Sequence, residues 1–477
     1  EKYSIEYVDL DKEEISLDLF KNFDIKKIKK YMMIPYKKDN NNKNLFIAVY
    51  DFSDIEKINE IKDYVKKLSY TAIFKFSPDY KIKEIYDSFI LNDVKVWVDN
   101  VIQKGIDINA SDIHIEPFEN YLQVRYRVDG ILTGKKIYRY KNIQIFSIIV
   151  RIKILSNMDI SEKRKPQDGR IYNYLYKNSY YDIRVSCVTT IYGEKIVLRI
   201  MPKTTQFITF KDLGFNNNQE NKIKDMIHSK NGIIYLSGTT GSGKTTTLYT
   251  ILNILNNDKR NIYTIENPVE RTIKNINQIE INDQAGITYV SMLRSILRQD
   301  PDIIVIGEIR DSETASMAVR ASLTGHLVLT TIHGNSAADS IERLIDIGVD
   351  PCLISASTIG FLSQKLIRRV CPYCRKKVKK LKPYERLWLN KNGFENCDDD
   401  EFYEAVGCDK CLDGYKGRIA LAEILETDEK IRKLISEEAP VSEIKKQAFL
   451  NGFRPFIQDG IEKAKQGLTT ISELMGS

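Results

Sequence analysis

Apolar residues recur along this chain in three rhythms, and each rhythm predicts a different kind of segment. Helical spacing over 55–68 and 82–91 flanks short apolar runs at 46–50 and 71–74, which together predict a small α/β domain over 1–91. Its opening, 3–10, resembles the middle of a domain rather than its start, and the polar stretch 37–44 reads as a loop tip. A helix follows over 94–104, with Val94, Trp97, Val98, Val101 and Ile102 on one face. Strict alternation then takes over in YLQVRYRVDG (121–130), in 180–186 and in 195–200, as half-exposed antiparallel strands require. This predicts a PAS-like α+β domain over 92–205.

The pattern breaks at MPKTTQFITFKD (201–212), which places a linker at 206–212. Beyond it the rhythm changes to short continuous apolar runs at 233–236, 262–265, 303–306 and 327–331, separated by helical stretches. Such runs are the mark of a parallel sheet covered on both faces, here over 213–365. A lysine-rich segment with little core of its own occupies 366–420, and helices close the chain over 421–477.

The composition changes this picture little. With 477 residues, 42% hydrophobic and 29% charged, the chain is an ordinary multidomain globular protein. Seventy-two basic and 65 acidic residues nearly balance, so no strong pull towards nucleic acid follows. No apolar run approaches the 18 or more residues of a membrane span, and any membrane association is expected to be peripheral. The first residue is Glu1 and no signal peptide is visible, which points to a truncated start. Seven cysteines, four of them in two C-x-x-C pairs, suggest a cytosolic chain with a metal site rather than a disulfide framework.

Candidate chemistry concentrates at the ends of the buried runs. GTTGSGKTTT follows 233–236 and satisfies G-x-x-x-x-G-K-T: Gly238, Thr239, Thr240, Gly241, Ser242, Gly243, Lys244, Thr245 and Thr246 form a phosphate cradle, with Thr245 as the Mg²⁺ ligand. TIENPVE places Glu266 and Glu270 just past the next run. Glu308 follows 303–306 and Gly307, where a carboxylate can orient or deprotonate an attacking water. His333 ends LVLTTIH. Cys371 and Cys374 with Cys408 and Cys411 have the spacing of a closed Cys₄ zinc site, whose role is structural. Cys187, Cys352 and Cys397 have no partner of that kind and read as ordinary residues, and the basic run 368–382 reads as a solvated face. Arginines on strands stand out: Arg125, Arg127, Arg170, Arg184 and Arg199.

Taken together, ASDIHIEP, RYRVDG, the P-loop, TIENPVE, GEIRD, LVLTTIH and the paired C-x-x-C turns resemble the secretion ATPase superfamily, and within it the type II secretion and type IV pilus assembly ATPases. The resemblance implies a multidomain α/β protein: a RecA-like P-loop ATPase core, a preceding PAS-like α+β domain, a partial N-terminal docking domain and a zinc subdomain, the last arguing against the pilus-retraction branch. It implies a homo-hexameric hydrolase of ATP at the cytoplasmic face of the inner membrane, with Mg²⁺ and Zn²⁺ as cofactors and a membrane platform protein and a docking protein as partners. It also implies that Arg184 and Arg199, with Arg294, Arg298 and Arg310, reach a nucleotide. Two positions depart from the family pattern: Asn267 stands where an Asp is usual, and Gly334 where a Thr is usual. Pilus assembly is the leading expectation; type II secretion, a nucleic-acid translocase and a catalytically weak scaffold are the alternatives.

Overall fold

The computed structural model describes residues 6–10, 13, 25–39, 42–90, 94–119, 121–138, 142–203, 208–395 and 400–476. Cys397, residues 206–207 of the expected linker, and 3–5 of the opening lie outside these. The chain divides into two compact units, Glu1–Thr204 and Thr205–Ser477.

The first unit carries two sheets. The smaller one has the order β1 (Met33–Asp39), β2 (Asn44–Val49), β3 (Thr71–Phe76), with helices Ile55–Lys67 and Asp79–Ile90 beside it. Asp54 caps the first of these helices by accepting from the Lys57 amide. The larger sheet is antiparallel: β4 (Ala110–Pro117), β5 (Leu122–Val128), β6 (Ile131–Tyr138), β7 (Gln167–Tyr176), β8 (Ser179–Thr190) and β9 (Gly193–Pro202), in the order β6-β5-β4-β9-β8-β7. Helices Val94–Asp107 and Asn142–Leu155 bury Trp97, Ile102, Ile148 and Ile152 with Ile113, Val124, Ile183 and Leu198 of the strands in one core.

The alternation that predicted these strands puts charge on the other face, where side chains pair across strands. Glu116 takes two bonds from Arg125 at 2.7 and 2.8 Å, one from Gln123 at 3.0 Å, and lies 2.9 Å from Lys195. Asp112 holds Arg199 at 2.9 Å, and Asp182 holds Arg170 at 2.7 Å and Lys203 at 2.9 Å.

The second unit is built on one seven-stranded sheet: β10 (Gly232–Ser237), β11 (Ile262–Glu266), β12 (Asn277–Glu280), β13 (Ile303–Ile306), β14 (Leu327–Ile332), β15 (Thr358–Val370), then β18 (Tyr415–Glu426), in the order β12-β11-β13-β14-β10-β15-β18. All pairings are parallel except β15 with β18. Alternate residues feed two cores: Ile233, Tyr235, Ile304 and Ile306 on one face, Ile234, Leu236, Ile303 and Val305 on the other. Between β15 and β18 the chain makes an excursion over 371–414 with a minimal hairpin, β16 (Lys376–Lys377) and β17 (Tyr403–Glu404), and the helix Pro383–Lys391.

The outer edge of β18 is covered by side chains around Ala420 and Ala422. Asp459 accepts from the Ala422 amide at 2.9 Å, Lys463 donates to the Ala420 carbonyl at 2.6 Å and to Asp459 at 2.6 Å, and Gln219 donates to the Ala422 carbonyl at 3.3 Å. Asp459 and Lys463 are 1% and 2% exposed, so neither charge tolerates loss of the other.

Burial alone would push the Glu116 carboxyl up, but the bonds from Arg125, Lys195 and Gln123 outweigh it and bring it from 4.5 down to about 2. A depressed carboxyl stabilises the fold above its unfolded value and loses that contribution as pH falls towards the folded one. Glu116→Gln is therefore expected to lower the stability of this unit by on the order of 2–3 kcal/mol at pH 7, with the gap closing between about pH 4.5 and pH 2. Urea unfolding followed by Trp97 fluorescence in a Trp388→Phe background measures it.

Candidate functional site

The second unit's chemistry lies where its parallel strands end. β10 runs into Gly238, whose φ of +144° suits glycine alone, and a Cβ there would stand 2.3 Å from the Gln364 carbonyl oxygen. The loop re-enters a helix, Lys244–Leu255, through Gly243 at φ +89°, with no side chain capping the helix start. Gln364 on β15 clamps the loop from beneath: its amide donates to the Ser242 carbonyl at 2.8 Å, and its carbonyl accepts from the Thr247 hydroxyl at 2.7 Å. Thr239, Thr240, Gly241 and Thr245 are exposed, and Thr246 is half-buried, along the cradle.

Lys244 turns back on the loop and donates to the Gly238 carbonyl at 2.6 Å and the Thr239 carbonyl at 3.0 Å. Burial lowers its pKa, with the Glu308 carboxylate opposing that shift. A partly desolvated ammonium surrounded by carbonyls and one carboxylate is suited to an incoming phosphate.

Glu308 sits just beyond β13. It is held by backbone: the Gly307 amide donates to the Ile265 carbonyl at 2.8 Å, the Thr331 hydroxyl donates to the Gly307 carbonyl at 2.6 Å, and the Ile309 amide donates to the Thr331 carbonyl at 3.0 Å. Gly307 has no room for a Cβ without crowding the Ile265 carbonyl at 3.0 Å and the Tyr289 hydroxyl at 3.1 Å. The Glu308 carboxylate accepts from Arg310 and lies 3.6 Å from His333 Nε2. The helix after this turn begins at Ser312 with Asp311 as its cap, so Glu308 precedes it by a full turn and is not one of its first-turn charges. Tyr289 registers the same carboxylate: burial first, then the Glu308 charge, pushes its hydroxyl up to about 12.

Glu266 is 5% exposed and fully engaged, accepting from Tyr249 at 2.5 Å, Thr264 at 2.6 Å and Gln278 at 3.1 Å. Glu270, on the turn that follows, is exposed. The structure thus gathers Lys244, Glu308, Arg310 and His333, while Arg294, on the exposed side of the helix Tyr289–Ile296, pairs with Glu313 at 3.0 Å, and Arg298, in the turn after it, donates to the Arg294 carbonyl at 2.8 Å. In the first unit Arg170, Arg184 and Arg199 stand side by side across β7, β8 and β9.

The four excursion cysteines converge. Their sulfurs all lie within 4.8 Å of one another, with Cys371–Cys408 at 3.9 Å, Cys374–Cys411 at 3.7 Å and Cys408–Cys411 at 3.6 Å. Four sulfurs at about 2.3 Å from a tetrahedral zinc stand about 3.8 Å apart, so the donor set is compatible with zinc. The neighbouring basic run is only partly solvated: Arg368 binds Glu473 at 2.6 and 2.9 Å and covers the Tyr415 ring, and Arg375 reaches the Gly467 carbonyl.

Residues 90–476 match the family described as type II/IV secretion system protein, and residues 3–89 match the MshEN domain. The chain belongs to the type II/IV secretion system protein family. Its relatives include the type IV pilus assembly ATPase PilB of Thermus thermophilus, 43% identical over 80% of this chain and 42% of that protein. The type II secretion system protein E of Aeromonas hydrophila is 37% identical over 90% of this chain and 84% of its own length. The chain spans less than two thirds of several pilus-assembly relatives, including 65% of the PilB of Acinetobacter baylyi. Among solved structures, the ATPase DotB of Legionella pneumophila aligns over 80% of this chain and 96% of its own with a TM-score of 0.60 at 22% identity, a likeness of fold. The pilus retraction motor PilT with bound ADP aligns over 79% of this chain and 95% of its own, with a TM-score of 0.53 at 25% identity.

Sequence reasoning missed three residues that hold this secretion-family site together. Gln364 lies on a strand 120 residues from the loop it clamps, and only the β10–β15 register reveals it. Tyr249 reads as one more apolar helix residue. Glu423, buried at 5% exposure, accepts from the Ala337 amide at 3.0 Å and so ties down the segment after His333; it lies on β18, whose residues 421–426 fall in the stretch expected to be helical and instead complete the sheet by pairing with β15.

Gly238→Ala adds a Cβ where the Gln364 carbonyl stands, at a φ that costs a side chain about 1–3 kcal/mol. Titration with a fluorescent ATP analogue is expected to show binding weakened about tenfold or more, with the far-UV circular dichroism unchanged.

Proposed function

We propose that this chain is the Mg²⁺-dependent ATP hydrolase of a type IV pilus assembly machine. One observation carries the reading: in a chain of this family, the P-loop Lys244 and the strand-end group Glu308, Arg310 and His333 meet at one edge of the sheet. On this reading the loop amides and Lys244 hold the β- and γ-phosphates. Thr245 would hold Mg²⁺, which supplies charge neutralisation between those phosphates. Glu308 orients and deprotonates the attacking water, His333 holds the Glu308 carboxylate in place, and Arg310 is exchanged from Glu308 to the developing phosphate charge. Glu270 presents a second carboxylate from the exposed turn, and with Asn267 in the position usual for Asp it carries that duty alone, because Glu266 is consumed by three hydrogen bonds.

The Arg170, Arg184 and Arg199 row supports the assignment of Arg184 and Arg199 to a nucleotide. Arg170 and Arg199 are each oriented by a carboxylate, Asp182 and Asp112, and the Arg199 side chain stays 62% exposed, where it can meet an anionic ligand. With Arg294 and Arg298 they are the candidates for completing the site in a homo-hexamer. The Cys₄ cluster is read as a structural zinc site, and 1–91 as the docking domain. Work is delivered to a membrane platform protein at the cytoplasmic face of the inner membrane; among the described residues no helix is long and apolar enough to cross a membrane. Type II secretion is the second reading, favoured by the Aeromonas relative, of which the chain covers 84%.

Phosphate release is expected to fall by roughly 10² or more in both Lys244→Ala and Glu308→Gln, with nucleotide binding lost in the first and kept in the second. Wild-type turnover in both would sink the hydrolase assignment. Metal analysis is expected to find about one zinc per chain, and Cys408→Ser to lose it together with protease resistance of 371–414.

A further inference from the structure

The helix that begins with Lys244 carries a second group towards the site. Tyr249 lies about one and a half turns further on, its ring 9% exposed in the core with Leu248, Ile251 and Leu252. Its hydroxyl uses every bond it can make. It donates to Glu266 Oε2 at 2.5 Å and accepts from the backbone amides of Glu270 and Arg271, both at 3.2 Å.

Those two amides belong to the turn that bears Glu270, which therefore hangs from the P-loop helix by one oxygen atom. Other side chains tie the turn as well: Gln278 donates to Glu266 Oε1 at 3.1 Å and to the Arg271 carbonyl at 2.8 Å and accepts from the Ile273 amide at 2.7 Å, and Glu280 accepts from the Val269 amide at 3.0 Å. Glu266 also faces the other side of the site through its backbone, because its Cα lies 3.4 Å from where a Cβ of Gly307 would be and Gly307 precedes Glu308. The connection runs unbroken from the P-loop helix to Tyr249, to Glu266, and on to both carboxylate-bearing turns.

We infer that Tyr249 is a positioning residue for hydrolysis, its hydroxyl fixing the turn that presents Glu270 relative to the P-loop. The inference rests on the reading of Glu270 as a working carboxylate. A ring without the hydroxyl fills the same space, but leaves two amides and one carboxylate oxygen without this partner, so the turn is free to shift. A displacement of about 1 Å of a working group costs up to about 10²-fold in rate, whereas the phosphates, held by the loop itself, are bound as before.

The experiment is a double-mutant cycle on the full chain: Tyr249→Phe, Glu270→Gln and the pair, each assayed for kcat and KM for MgATP and for binding of a fluorescent ATP analogue. Tyr249→Phe is expected to lower kcat about tenfold or more with KM and analogue affinity within about twofold, and to lower kcat less than about twofold further in the Glu270→Gln background. Equal fold losses in both backgrounds, or wild-type kcat in Tyr249→Phe while Glu270→Gln is impaired, overturn the inference and leave the role of Glu270 standing. Wild-type turnover in Glu270→Gln overturns that role and the inference with it. If Tyr249→Phe does not fold, Gln278→Met cuts a second tie of the turn and is expected to show the same kcat-only loss, absent in the Glu270→Gln background. A loss that persists there overturns the inference.

Discussion

Strands covered on both faces have no place within them for an unpaired charge, and the phosphate-facing edge of the second unit is arranged around that constraint. β10, β13 and β14 are buried at every residue, so their interiors are apolar or hold short hydroxyls. Every ionisable group of the site enters within a few residues of a strand's carboxyl end: Lys244 after β10, Glu270 after β11, Glu308 after β13, His333 after β14. The parallel direction of these strands is what makes the groups neighbours, since it brings those ends to one edge.

The same constraint explains what could be read in advance. Continuous apolar runs made β10, β11, β13 and β14 legible to within a residue or two, and the strand ends then pointed to Glu308 and His333; β15 and β18, interrupted by polar and charged residues, went unread. The paired C-x-x-C turns were legible because a metal set is written as local spacing. Tertiary hydrogen bonds were not. Glu266 looks like Glu270 in sequence, and only the convergence of Tyr249, Thr264 and Gln278 shows that one is consumed by the fold while the other is exposed. Gln364 acts on the P-loop through strand register, and an isolated glutamine in an apolar strand carries no signal of that. The basic run 368–382 is a largely exposed face, as its pattern suggested, but the engagement of Arg368 was not legible, because Glu473 and the Tyr415 ring lie far along the chain.

The first unit solves a different problem with the opposite pattern. Its antiparallel sheet has one packed face, and strict alternation leaves the other for charge. Carboxylates at Asp112, Glu116 and Asp182 hold Arg199, Arg125 and Arg170 on the arginine-rich surface. Arg199 is held by Asp112 yet keeps a 62% exposed side chain, so its head is oriented without being enclosed.

The covered edge of β18 has a consequence for assembly. A sheet whose last strand shows bare amides and carbonyls can continue into a neighbour's sheet, and such growth has no natural end. Here Asp459, Lys463 and Gln219 occupy the backbone groups of Ala420 and Ala422. At those positions a second copy's strand has no free backbone groups to pair with, so this stretch of the border does not serve to extend the sheet into a neighbour.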